Sequence, residues 1–136
     1  MNTYTLAYRP DLDIVFLRWV QPDTLAQAQD SYHAALALAL AHGCGNWLLD
    51  SRRCGPIRTE ETVWLSHTFF PLAIAQLAPR PLRLGVFSSL QRVEQLRTDM
   101  AVAPAVRAAT AATQPYQAAI FMTEAEAVAW LQAPPA

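Results

Sequence analysis

The side chains best suited to chemistry fall in one stretch, residues 51–59, SRRCGPIRT. Arg52, Arg53 and Arg58 supply guanidinium groups, and Thr59 opens a segment that reads as a helix. Arginines beside the free amides of a helix start favour an anion such as a phosphate or a carboxylate. The same arginines could instead pair with Asp50, Glu60 or Glu61 and leave the loop merely solvated. Cys54, next to Arg53 and close to a helix start, is placed for a lowered thiol pKa. A cysteine enzyme also needs a base, and His67 lies two turns into the helix with no reason to point back, so no catalytic residue is assigned.

Other constellations are thinner. His42 and Cys44 offer two ligands at one end of a strand, while His33 and His67 belong to separate elements, so no metal site is expected. Gly43, Gly45, Gly55 and Gly85 never form a glycine-rich phosphate loop. Asp50, Glu60 and Glu61 give no sequence-level reason for raised pKa values. No cofactor is implied, and the chain does not read as an enzyme.

The segment after the loop carries a second signal. Across residues 59–78, Val63, Trp64, Leu65, Phe69, Phe70, Leu72, Ile74 and Leu77 do not fit on one helical face, so the helix must be covered on more than one side. A neighbouring helix could do that. Alternatively Trp64, Phe69, Phe70 and Ile74 form a self-association surface or an apolar ligand groove.

The elements that would position these residues follow from patterning. Residues 3–8 and 14–20 are short β-branched and aromatic runs around a turn containing Pro10, and they read as a hairpin with the first strand at an edge. Residues 24–42 read as a helix, with Thr24 and Gln27 matching a capping box and Gly43 as the stop. Residues 46–51 form a compact strand, and Pro71 is expected to kink or split the helix 59–78. Strand 82–88 leads into a match at Ser88 and Gln91, then a helical stretch 90–113 with a break near 101–104. Strand 116–122 precedes a third capping box, Thr123 and Glu126, and an amphipathic helix. The order β-β-α-β-α-β-α-β-α predicts an α/β fold, a single mixed, mostly parallel five-stranded sheet with about four helices.

Bulk properties bound the rest. At 136 residues the chain suits one domain, here 1–132, with 133–136 as a frayed tail. Hydrophobic residues make up 53% and charged residues 15%, leaving little charge to cover a monomer's surface, which adds weight to a homodimer. The ten basic residues are all Arg, scattered apart from the loop, and net charge is −1, so nucleic acid is a poor partner. The longest apolar run, 34–41, is far short of a membrane span. The N-terminus reads as a strand rather than a secretory leader, and Cys44 and Cys54 flank one strand too far apart to bridge, so a cytoplasmic setting with free thiols is expected.

An opening hairpin, a helix, a strand ending in Leu48, Leu49 and Asp50, then a polar loop and a helix bearing Trp64 and Leu65, resembles the STAS family, the fold of bacterial anti-sigma-factor antagonists, and in particular its divergent STAS/SEC14-like group. That resemblance implies a regulatory module working through protein contacts. Its SEC14-like side implies instead a carrier of a small amphipathic or lipid-like ligand, with the head group at Arg52, Arg53 or Arg58 and the tail against Phe69 and Phe70. Antagonists of the family are phosphorylated on a Ser or Thr within a D-S/T-S-G stretch. Here the matching positions read Pro56-Ile57-Arg58-Thr59-Glu60-Glu61, so only Thr59 could stand in, beside two carboxylates that would repel a phosphate.

Overall fold

The computed structural model describes residues 2–134. One five-stranded sheet runs in the order β1 (Tyr4–Arg9), β2 (Ile14–Trp19), β3 (Asn46–Asp50), β4 (Arg83–Phe87), β5 (Gln117–Phe121). Only β1 with β2 is antiparallel, Leu6 facing Leu17; the other three pairs are parallel. This is the expected α/β class, with the hairpin strand at the edge.

The strand order equals the chain order, which puts successive crossovers on one face of the sheet. Val15, Leu17, Trp19, Trp47, Leu49 and Leu84 point to that face, into a core with α1 (Leu25–His42) and α3 (Phe70–Leu77). The opposite face, with Ile14, Phe16, Leu48 and Phe87, is covered by α6 (Glu124–Gln132) through Ala127 and Leu131. Gly85 permits that approach, because a Cβ there would sit 3.1 Å from Leu131 Cδ1.

Helix ends follow their local chemistry. Thr24 and Gln27 form the full capping box of α1, and Gly43 ends it in the left-handed region at φ 59°. Thr123 caps α6 by accepting from the Glu126 amide. The cap expected at Ser88 lies one residue later: Ser89 accepts from the Arg92 amide to start α4 (Leu90–Thr98), while Ser88 stays buried with its amide on Phe121 O. The stretch 90–113 does break, and its second half is a helix of its own, α5 (Val102–Ala109), so the described residues form five helical bodies rather than four.

The α-helix is divided next to Pro71, which lies in the first turn of α3 (Phe70–Leu77), but the chain stays helical on both sides. The rod runs from α2 (Thr59–Trp64) through a π-helical turn at Leu65–Phe69 into α3. In that turn the Phe70 amide reaches Leu65 O, five residues back. A wider turn just before the proline gives its ring room where an α-helical carbonyl would clash.

Arg83 is buried and has no carboxylate partner among the described residues. It donates to the carbonyls of Trp130, Leu131 and Ala133 at the C-terminal end of α6, and to Gln117 Oε1. Its charge therefore meets the negative end of the helix dipole. The carbonyl of Ala133, in the expected tail 133–136, accepts this contact; residues 135–136 of that tail fall outside the described residues.

Candidate functional site

The 51–58 loop does leave the carboxyl end of β3, where open α/β sheets commonly bind ligands. Its arginines do not converge. Arg52 turns back to Asp50, with Nε on Oδ1 and Nη2 on Oδ2 both at 2.9 Å, and lies 4.2 Å over the Phe87 ring. Arg53 is exposed and makes no ion pair among the described residues. Arg58 faces the other way: Nη1 bonds the Asp23 carbonyl at 2.8 Å, and Nη2 bonds Asp23 Oδ1 at 3.0 Å and Glu61 Oε1 at 2.5 Å. Thr59 is partly buried as the first residue of α2.

Asp50 at the end of the Leu-Leu-Asp strand collects two arginines rather than a ligand. Arg18 Nη1 lies 2.8 Å from its Oδ2, and Arg18 Nη2 reaches Glu124 on α6 at 2.6 Å. Burial raises the Asp50 pKa, but the hydrogen bonds from Arg52 and Arg18 outweigh it and leave the carboxyl below its ordinary value.

The aromatic residues expected on an outer surface are mostly inside. Phe69 and Phe70 are buried, Trp64 and Ile74 are half-buried, and Trp64 stacks on Phe69 at 5.2 Å. Helix α1 supplies the covering neighbour through Tyr32, whose ring lies 5.5 Å from Phe69 and 6.4 Å from Phe70. Of the large apolar residues on this rod, Val63 and Leu72 are the ones left exposed.

The loop instead roofs a cavity of about 130 Å³. Its floor is the carboxyl end of the sheet, with Trp19, Leu49, Val86 and Ile120, and its walls include Tyr32, Phe70 and Val106. Cys54, Arg58, Glu61 and Arg92 line its polar side together with Asp23. The roof is held by α4: Gln95 accepts from the Ile57 amide at 2.7 Å and donates to the Ile57 carbonyl at 3.1 Å, and Arg92 Nη1 donates to Gly55 O.

Among the described residues three buried polar atoms have no hydrogen-bond partner, all in these side chains and covered by protein: Asp23 Oδ2, Arg58 Nε and Arg92 Nε. Such atoms are rare in folded proteins, since each costs about 1–3 kcal/mol when left unmade. Burial pushes the Cys54 thiol up to about 12, against a smaller opposing pull from Arg92. The thiol is therefore neutral near pH 7 and no nucleophile, contrary to the lowered pKa that its neighbours in sequence suggested. Cys44, at the other end of β3, is likewise free and raised to about 11 by burial.

Asp23, Tyr32, Arg92 and Gln95 went unnoticed in the sequence. No local signal marks them, because Asp23, Arg92 and Gln95 meet the loop only across long stretches of chain, as in Asp23 with Arg58, 35 positions apart, and Gln95 with Ile57, 38 apart, and Tyr32 meets Phe69 and Phe70 from another helix. Among the described residues no group of three or more His, Cys, Asp or Glu could hold a metal ion, and no helix is long and apolar enough to cross a membrane. No family model, no curated protein and no solved structure matches the chain, so the cavity and its polar side carry the functional reading.

Proposed function

We propose that this chain is a binding module for a small, mainly apolar molecule held in the cavity beneath the 51–58 loop. The observation that carries the reading is the cavity itself: an apolar floor and walls, with Asp23, Arg58, Glu61 and Arg92 along one polar side. A mostly apolar pocket with a few convergent polar groups is the usual form of a small-molecule site. The reading keeps the carrier expectation with Arg58 at the polar end, but Arg92 takes the place of Arg52 and Arg53 beside it. A STAS-like relationship rests on the order of the elements, with the hairpin strand antiparallel at the edge.

Self-association through the 59–78 helix has less support, because its aromatic residues are covered within the chain. A regulatory role through protein contacts is compatible with ligand binding but has no surface feature of its own here.

The direct test fills the cavity. Ala118, on β5, lines the floor. Ala118→Leu is expected to abolish ligand-induced thermal shifts from a library of small aromatic and aliphatic compounds while keeping the fold by circular dichroism. A library that shifts neither the parent chain nor the variant would overturn the reading.

A further inference from the structure

At β5 the sheet ends on main-chain groups without a strand partner, and we propose that a second copy of this chain pairs there, β5 against β5. The strand is last in the sheet order, so among the described residues β4 is its only strand neighbour. The Gln117 amide bonds Leu82 O at 3.1 Å, and Phe121 O accepts from the Ser88 amide at 3.0 Å. Successive residues of a strand turn their amide and carbonyl to alternate sides, so Gln117, Ala119 and Phe121 serve β4 while those of Ala118 and Ile120 face outward.

Natural sheet edges are blunted by charge, proline, a bulge or a covering element. Residues 108–123 contain no Asp, Glu, Lys, Arg or His, and Pro115 lies before the strand. The register with β4 is unbroken over Gln117–Phe121, and β5 is as long as the inner strands β3 and β4. Those two are mostly buried, whereas every residue of β5 stays part-exposed. At the other edge β1 ends on Arg9, paired with Asp11 in the turn beyond, so charge guards that side.

Symmetry selects the occupant. A two-fold contact sets a strand against its own reversed copy, so any charge on it would approach a like charge. An uncharged edge suits that contact and carries no charge to select an oppositely charged partner. Centred on Ala119, the antiparallel pair sets Ala118 opposite Ile120 of the copy, and Ile120 opposite Ala118, so that their outward amides and carbonyls bond one another. Ala119 then meets its own copy at the close, non-hydrogen-bonded position, about 4.5 Å between Cα atoms, where a small side chain fits. Gln117 and Phe121, which meet Arg83 and Trp130 on the α6 face, come opposite each other across the seam. The two sheets become one continuous sheet across both chains.

Sedimentation velocity of the whole chain from about 5 to about 500 µM tests this. A pair of short strands falls below the roughly 1,200–2,000 Å² of a stable interface, so a dimer with a dissociation constant of roughly 10–100 µM is expected. Ala119→Lys sets two like charges against each other across the seam and is expected to weaken the dimer by about fivefold or more, with the circular dichroism of the fold retained. Ala119→Cys is expected to give a covalent dimer on mild oxidation, because the paired position brings the two side chains within disulfide reach. It decides the matter if the lysine variant fails to fold.

A parent chain that stays monomeric up to about 500 µM would overturn the proposal and leave the β5 edge to an extended segment of another protein. Either a dimer as strong in Ala119→Lys as in the parent, or no covalent dimer from Ala119→Cys beyond what the parent gives, would place self-association elsewhere on the surface. Species that keep growing with concentration would mean that β5 pairs head to tail with β1 of the next chain rather than with its own copy.

Discussion

Cys54 shows how far the chemistry of a residue depends on what covers it. Its sequence neighbour Arg53 and the nearby helix start allowed a reactive thiolate, yet burial raises its pKa to about 12. Because the folded pKa lies above the ordinary thiol value, the neutral form is the one the fold favours, and that contribution to stability is lost as pH rises through the ordinary value toward 12. Alkylation by iodoacetamide at pH 8 is accordingly expected to be at least about tenfold slower for Cys54 in the folded chain than in urea, where the thiol titrates near 8.5. Equal rates, followed by mass spectrometry of the Cys54 peptide, would show that the thiol is neither covered nor raised. Arg52 and Arg58 teach the same lesson: six positions apart in sequence, they serve different carboxylates on opposite sides of the loop.

At the scale of elements, the loop is a roof because α4 holds it. The Gln95 side chain imitates a backbone neighbour by satisfying both the amide and the carbonyl of Ile57. Gln95→Leu is expected to speed hydrogen exchange at the Ile57 amide by about tenfold or more through local opening, with the denaturant midpoint little changed, since the strands and α1 make no use of that contact. Unchanged exchange at Ile57 would mean that α4 does not hold the roof. Most elements were legible from sequence because their signals are local. Thr24 with Gln27 and Thr123 with Glu126 mark helix starts within one turn, and the apolar runs of β2 and β3 announce buried strands. The π-turn was not legible, because its wider ring depends on how the Leu65–Phe69 turn passes the proline ring while Phe69 stays in the core.

At the scale of the molecule, the two faces of the sheet divide the labour. One face builds the core and the cavity; the other is strapped by a chain of charges from Arg18 on β2 through Asp50 on β3, with Arg18 also reaching Glu124 on α6. The Asp50 pKa is lowered in the folded chain, so its contribution to stability is present above the ordinary carboxylate value near 4 and is lost as pH falls through the folded value. Asp50→Asn is expected to lower stability at pH 7 and to flatten the loss of stability below about pH 4, measured by urea unfolding at a series of pH values. An acid limb as steep as that of the parent chain would remove Asp50 from the network's titration.

The sequence by itself determined which segments are strands and helices, that they form one α/β layer structure, and that β1 is the antiparallel edge. Hydrophobic period, caps and turn residues act over a few positions, so they can be read without knowing the fold. Only the tertiary structure decided the strand order, the inward placement of Phe69 and Phe70, and the cavity. Each of these arises where segments far apart in sequence meet, as when Asp23 meets Arg58 or Gly55 meets Arg92. Local patterning sets what a segment is; the packing of several segments over one sheet end sets what space remains between them.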